Sequence, residues 1–233
     1  MSDITMRYVK QGGGPPLLFL HGNGENGSYF VNQMGAFSLH YTVYAIDTRG
    51  HGQTPRGEAP FTMAQFAQDL LDFLDEEKIE RTNILGFSDG GNIALTFALA
   101  HPERVDRLIL NGANLSPSGV KLHLQIPIVL GYHLASLFAG RCLEAKLRAE
   151  ILGLMVKEPH IRPEELTALT VPTLVIVGTK DMIKDEHTLL IASSLPNSRL
   201  EIIVGDHFIA AKNPDAFNEA VAAFLADTRS EIS

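Results

Sequence analysis

Asn83-Ile84-Leu85-Gly86-Phe87-Ser88-Asp89-Gly90-Gly91 reads as a buried strand that stops at a Gly-x-Ser-x-Gly turn and runs directly into a helix, Asn92 to Ala100. The five-residue pattern alone arises often by chance; its place between a strand and a helix gives it weight. A serine on so sharp a turn is lifted above the sheet with its hydroxyl exposed. Glycines two residues to either side let the chain turn without side-chain collisions. The helix that follows aims its free N–H groups at the same spot, which favours developing negative charge. Ser88 is therefore a candidate nucleophile; the alternative is a plain glycine-rich loop.

Short apolar runs flank this unit on both sides. Leu17-Leu18-Phe19-Leu20, Thr42-Val43-Tyr44-Ala45-Ile46, Arg107-Leu108-Ile109-Leu110, Thr173-Leu174-Val175-Ile176-Val177 and Leu200-Glu201-Ile202-Ile203-Val204 all read as strands. Strands apolar on both faces are what a parallel sheet covered by helices demands. Between them, Thr62-Met63-Ala64-Gln65 resembles a capping box opening a helix whose apolar face is Phe66, Leu70, Phe73 and Leu74. Asp215 to Ala226 closes the chain with a second amphipathic pattern at Phe217, Val221 and Phe224. The alternation predicts an α/β fold with a doubly wound, mostly parallel sheet. It breaks over residues 114–168, which have helical composition, four prolines and no convincing strand. That segment is expected to be a small helical lid inserted into a core made of residues 1–113 and 169–233, because loops after strands gather at the ligand-binding edge of such sheets. Extra helical packing is the plainer alternative.

The bulk properties exclude several classes. A chain of 233 residues can bury a large core without disulfides or metals. The formal charge is −8, from 27 acidic and 19 basic residues, with no basic block, which argues against a nucleic-acid partner. The single cysteine, Cys142, points to a reducing, cytoplasmic location and is expected to be a small buried hydrophobe. Met1 to Gln11 lacks the apolar core of a signal peptide, and no uncharged apolar run is long enough for a membrane span. Leu122 to Ala139 comes nearest but carries His123, Gln125, Pro127, Gly131 and His133. No closely spaced metal-ligand set and no phosphate-loop lysine are present, so no cofactor is expected.

A serine hydroxyl becomes an effective nucleophile only when a base takes its proton, and that base is most often a histidine held by a carboxylate. Of nine histidines, His21 and His51 follow strands in glycine-rich loops and look structural. His207, in Gly205-Asp206-His207-Phe208, follows the last strand and so shares a sheet edge with Ser88. The acid should also follow a strand. Asp181 does, in Gly178-Thr179-Lys180-Asp181; Asp206 is the rival, but a sequence neighbour rarely bends back to reach the ring Nδ1. The loop Asn111-Gly112-Ala113-Asn114 offers no acid. Asp89 adjoins Ser88 and suits a backbone donor better than the orienting acid.

The order Ser88, Asp181, His207 and the strand–turn–helix context resemble the α/β-hydrolase superfamily over nearly the whole chain. His21-Gly22 looks like that family's oxyanion loop, Asp47-x-Arg49-Gly50-His51-Gly52 like its next loop, and Gly178-x-x-Asp181 and Gly205-x-His207 like its acid and base loops. The resemblance implies an oxyanion hole made by the backbone N–H groups of Asn23 and Asp89. Two departures stand out. The oxyanion loop reads His-Gly-Asn-Gly where many relatives carry proline or a longer glycine run, and the lid is short, which implies a shallower acyl pocket.

The reading is a serine hydrolase acting on a small apolar ester, with the apolar residues Leu122, Leu124, Ile126, Ile128, Leu130, Leu134, Leu137 and Phe138 of the lid touching substrate. Thioester, amide or carbon–carbon bond hydrolysis and perhydrolysis use the same triad and stay open, as does a non-catalytic ligand-binding member of the fold. Gly22-Asn23-Gly24-Glu25-Asn26-Gly27 also matches a dinucleotide fingerprint after a strand. No long helix follows it cleanly, which argues against that alternative. Substrate identity and oligomeric state are not legible.

Overall fold

The computed structural model describes residues 3–227; the outermost ends of the expected core, 1–2 and 228–233, lie outside it. In chain order the main elements are β1 (Arg7–Gly12), β2 (Pro16–Leu20), α1 (Val31–Phe37), β3 (Thr42–Asp47), α2 (Met63–Glu76), β4 (Thr82–Phe87), α3 (Asp89–Ala100) and β5 (Val105–Asn111). There follow α4 (Leu122–Phe138), α5 (Leu143–Lys157), α6 (Pro163–Leu166), β6 (Thr173–Lys180), α7 (Asp185–Ser194), β7 (Ser198–Asp206), α8 (Ile209–Lys212) and α9 (Pro214–Leu225).

The seven strands form one sheet in the order β1-β3-β2-β4-β5-β6-β7. Every pairing is parallel except β1 with β3. In β2 the two-residue side-chain period is plain: Leu17 and Phe19 join the cluster with Phe30, Phe217 and Val221, whereas Leu18 and Leu20 join the cluster with Phe66, Leu70 and Phe97 on the other face. Both faces are buried, so β2 reads as a continuous apolar run.

β1 was not among the expected strands. Arg7-Tyr8-Val9-Lys10-Gln11-Gly12 is exposed throughout and mixes charge with apolar residues, as an edge strand does. At the opposite edge β7 leaves Ile202 58% and Val204 77% exposed, so it is not covered on both faces. The α2 start is as expected on one side only. The Thr62 hydroxyl accepts from Gln65 N–H, but the Gln65 side chain donates forward to Asp69 rather than back to the cap.

The chain runs from β2 outward to β3 and then returns to place β4 on the other side of β2. The loops after β2 and β4 therefore diverge at a switch point, where α/β sheets open a crevice at their strand C-termini. The connection from β5 to β6 carries α4, α5 and α6. Its anchorage is both polar and apolar: Lys121 Nζ donates to the Asp181 carbonyl at 2.7 Å, Arg56 grips Glu150 with two hydrogen bonds of 2.9 and 2.7 Å, and Leu154 and Leu166 are buried in the cluster that holds Phe66 and Leu70. Along α4 the residues Leu122, Ile126, Leu130, Leu134, Leu137 and Phe138 are exposed. Cys142 is also exposed, contrary to expectation, because it caps the outer turn between α4 and α5.

Candidate active site

Ser88 is the single residue between β4 and α3, and it takes φ 52°, ψ −119°. A non-glycine residue in that region stores strain of about 1–3 kcal/mol, held only where the surroundings over-determine it. Here they do. Ser88 N–H donates to the Asn111 carbonyl at 2.8 Å, and its own carbonyl accepts from Asn92 N–H at 3.0 Å. Close backbone approach explains the flanking glycines: a Cβ on Gly90 would stand 2.0 Å from the Leu20 carbonyl oxygen, and one on Gly86 would stand 2.3 Å from that of Gly90. The Ser88 hydroxyl does not cap α3 and makes no hydrogen bond to a described residue. It is half-buried at the sheet's C-terminal edge.

His207 follows β7 at once, and Asp181 follows β6 at once. His207 Nδ1 lies 2.8 Å from Asp181 Oδ1, and both side chains are buried. Burial pushes the Asp181 carboxyl up, but the His207 hydrogen bond and charge, with the amides of Ile183 and Gly178, outweigh it and hold the group below its ordinary value. An ionised Asp181 accepts, so Nδ1 carries the proton and Nε2 is the free base. Nε2 is buried and has no hydrogen-bond partner among the described residues. Asp206 does not compete: its carboxylate accepts from Phe208 N–H and pairs with Lys212. Ser88 and His207 border the same turn: Ser88 N–H donates to the Asn111 carbonyl, and a Cβ on the next residue, Gly112, would stand 2.6 Å from His207 Cε1.

The other expected donors gather nearby. The backbone N–H groups of Asn23, after β2, and of Asp89, opening α3, make no hydrogen bond within the described residues. The Asn23 side chain joins the two segments: its Nδ2 donates to Asp89 Oδ2 at 2.7 Å and to the Ile151 carbonyl of α5 at 2.8 Å. This bridge was not foreseen, and residue spacing gives no hint of it. Burial raises the Asp89 carboxyl to about 6, against the opposing hydrogen bond from Asn23, the His207 charge and the hydrogen bond from Asn92.

The histidines read as structural are so. His21 donates Nδ1–H to the Gly22 carbonyl at 2.8 Å and accepts Thr48 N–H at Nε2 at 3.1 Å. His51 donates Nδ1–H to the Arg49 carbonyl at 2.9 Å and accepts Gly24 N–H at Nε2 at 3.3 Å. Together they tie the loop after β2 to the loop after β3. Burial lowers both, His21 to about 4. Asp47 pins the same loops through Gly27 N–H and Gln53 N–H, each at 2.8 Å. Among the described residues no cluster could hold a metal ion, and no helix is long and apolar enough to cross a membrane.

Comparison with known proteins agrees with this architecture. A family model for the alpha/beta hydrolase fold matches residues 15–133. The chain is 29% identical over 254 residues to RutD of Caulobacter sp., a protein named as a carbamate hydrolase, covering 94% of this chain and 95% of that one. It superposes on the meta-cleavage product hydrolase of Pseudomonas fluorescens IP01 with a TM-score of 0.77 at 26% identity, covering 95% of this chain and 94% of that one. The enol-lactonase of Burkholderia xenovorans LB400 shares the fold at a TM-score of 0.80 and 23% identity, over 95% and 96% of the two chains. The chain belongs to the α/β-hydrolase fold family.

Proposed function

We propose that this protein is a serine hydrolase that cleaves small apolar carboxylic esters through Ser88, His207 and Asp181. The observation that carries the reading is the 2.8 Å contact between Asp181 and His207 Nδ1, with Nε2 left unpartnered at the sheet edge that bears the strained Ser88. His207 Nε2 takes the Ser88 hydroxyl proton as the oxygen attacks the ester carbonyl. The Asn23 and Asp89 N–H groups receive the resulting oxyanion, each such donor being worth ~10²–10³ in rate. Nε2 then gives the proton to the departing alcohol oxygen, leaving an acyl-Ser88 that water hydrolyses through the same base. Asp181 holds the imidazole in its Nδ1–H form throughout. Residues 114–168 serve as a lid, joined to the oxyanion loop through Asn23 and Ile151. Phe208, with its ring 5.6 Å from His207 and partly exposed, supplies apolar surface.

Relatives named as carbamate hydrolase, enol-lactonase and meta-cleavage product hydrolase support hydrolysis as the reaction class. A panel of aryl esters of rising acyl length tests the reading. Turnover is expected on the short esters, with the Ser88→Ala variant losing it by ~10⁶. Turnover that survives in Ser88→Ala would overturn it.

A further inference from the structure

Asn23 lies between two glycines, the residues least able to hold a peptide plane in one direction. Gly24 takes φ 73°, a conformation that glycine adopts at no steric cost. The amides on either side are tied: Gly22 N–H donates to Glu25 Oε2 at 3.3 Å, and Gly24 N–H to His51 Nε2 at 3.3 Å. The Asn23 N–H makes no hydrogen bond within the described residues, so its direction must be fixed by something else. The Asn23 side chain, which springs from the same residue, supplies that anchor. Its Nδ2 carries two hydrogens and meets two acceptors, Asp89 Oδ2 at 2.7 Å and the Ile151 carbonyl of α5 at 2.8 Å. A backbone carbonyl can only accept, so the nitrogen end of the amide has to face it.

Asp89 also reaches the start of the inserted segment. Its Oδ1 accepts from Asn92 Nδ2 at 3.4 Å. Asn92 in turn accepts Asn114 N–H at 2.9 Å and donates to Asn114 Oδ1 at 3.0 Å. Asn114 opens residues 114–168, and Ile151 lies within them. Asp89, Asn92 and Asn114 are all buried. One buried carboxylate is thus linked to Asn23, to the first turn of α3 and to two points of the lid. Buried polar networks of this kind hold a single geometry when their members are satisfied.

We propose that the Asn23 side chain is a positioning residue that couples the lid to the oxyanion hole, the hole being aligned only while Asn23 is held at both Asp89 and Ile151. The inference rests on the serine-hydrolase reading above. If α5 withdraws, the Ile151 acceptor goes with it, and the donor between the two glycines keeps one tether of two. A donor helps only where it points at the position the oxyanion will occupy, so a loosened loop forfeits most of its effect. Full stabilisation of the oxyanion is thereby reserved for substrates bound with the lid in place.

The donor is a backbone group, so side-chain variants keep it and remove only the tethers. Asn23→Ala removes both. Asn23→Asp combined with Asp89→Asn rebuilds the first with donor and acceptor reversed, but sets a carboxylate against the Ile151 carbonyl and so breaks the second. Kinetics on a short aryl ester at pH 8, where Asp89 is ionised, and inhibition by phenylboronic acid are read for the parent and both variants. Asn23→Ala is expected to lower kcat by ~10²-fold, as loss of one oxyanion donor does, with KM close to the parent's. Boronate affinity should fall with kcat, because the tetrahedral adduct on Ser88 places an oxygen in the same hole; a merely structural role would not weaken the adduct and spare KM. The exchanged pair should lie between, roughly tenfold below the parent. An unchanged kcat in Asn23→Ala would overturn the positioning role. An exchanged pair as active as the parent would overturn the lid's share in it, and one no better than Asn23→Ala would overturn that of Asp89. Hydrogen exchange at the α5 amides, expected to be faster in both variants, reads the lid tether without turnover; unchanged exchange overturns the coupling. A parent that neither cleaves the ester nor binds the boronate overturns the hydrolase reading instead, and hydrogen exchange then decides the coupling alone.

Discussion

His207 donates Nδ1–H to Asp181 Oδ1 at 2.8 Å across the C-terminal ends of two neighbouring strands, β6 and β7. The register shift between Gly178 and Lys180 accompanies this meeting, and the strand pairing runs on to Lys180 opposite Asp206. Residues 26 apart in sequence are thereby brought into one hydrogen bond. Asp206, next to His207 in the chain, turns to Lys212 instead. Asp181→Asn should lower kcat by ~10⁴, because the amide no longer selects the Nδ1–H tautomer. Asp206→Asn should change it less than tenfold. Steady-state kinetics on a short aryl ester checks both; the reverse ranking would assign the acid to Asp206.

The strain at Ser88 has a measurable consequence. At φ 52°, ψ −119° a glycine is at ease and an alanine is not. Ser88→Gly should therefore be more stable than Ser88→Ala by about 1 kcal/mol, although glycine's unfolded-state entropy offsets part of the relief. Urea unfolding of the two variants reads the difference.

Asp89 makes stability depend on pH in a fixed direction. Its folded value, about 6, lies above the ordinary 3.8, so the native state holds this proton more tightly than the unfolded chain. The stabilising contribution is fully present below pH 3.8 and is lost as pH rises through 6. Asp89→Asn removes the titration. Its stability relative to the parent should improve by about 2 kcal/mol between pH 4 and pH 8. Denaturation curves at the two pH values check this; a pH-independent difference would contradict it.

Arg49 and Asp69 form a buried pair beneath the loop after β3, joined at 2.7 and 2.6 Å, with side chains 0% and 2% exposed. Asp3 adds a second carboxylate to Arg49 at 2.7 Å. Asp69→Ala leaves the buried Arg49 with only the partly exposed Asp3 carboxylate, so it should cost about 3 kcal/mol, the low end for a broken buried pair. Arg49→Met with Asp69→Leu should cost less, because no charge is then left buried; the Asp3 carboxylate it releases is partly exposed to solvent. Thermal unfolding of the two variants decides between them.

The parallel strands were legible because burial on both faces leaves uninterrupted apolar runs, as in Leu17 to Leu20 and Thr173 to Val177. β1 was not, because an exposed edge strand carries no such signal. Ser88, Asp181 and His207 stood out since each ends or follows a strand at one sheet edge. The Asn23 bridge to Asp89 and Ile151 joins residues 66 and 128 positions apart, and only the folded chain reveals it. The exposure along α4 was not legible for a related reason: an all-apolar helix does not declare which side meets the core.

The most direct test of the account is covalent labelling with a fluorophosphonate probe followed by peptide mass mapping. The proposed mechanism predicts a single adduct on Ser88, lost in Ser88→Ala and slowed by orders of magnitude in His207→Ala. An adduct on another residue, or labelling of the parent no faster than of His207→Ala, would contradict it.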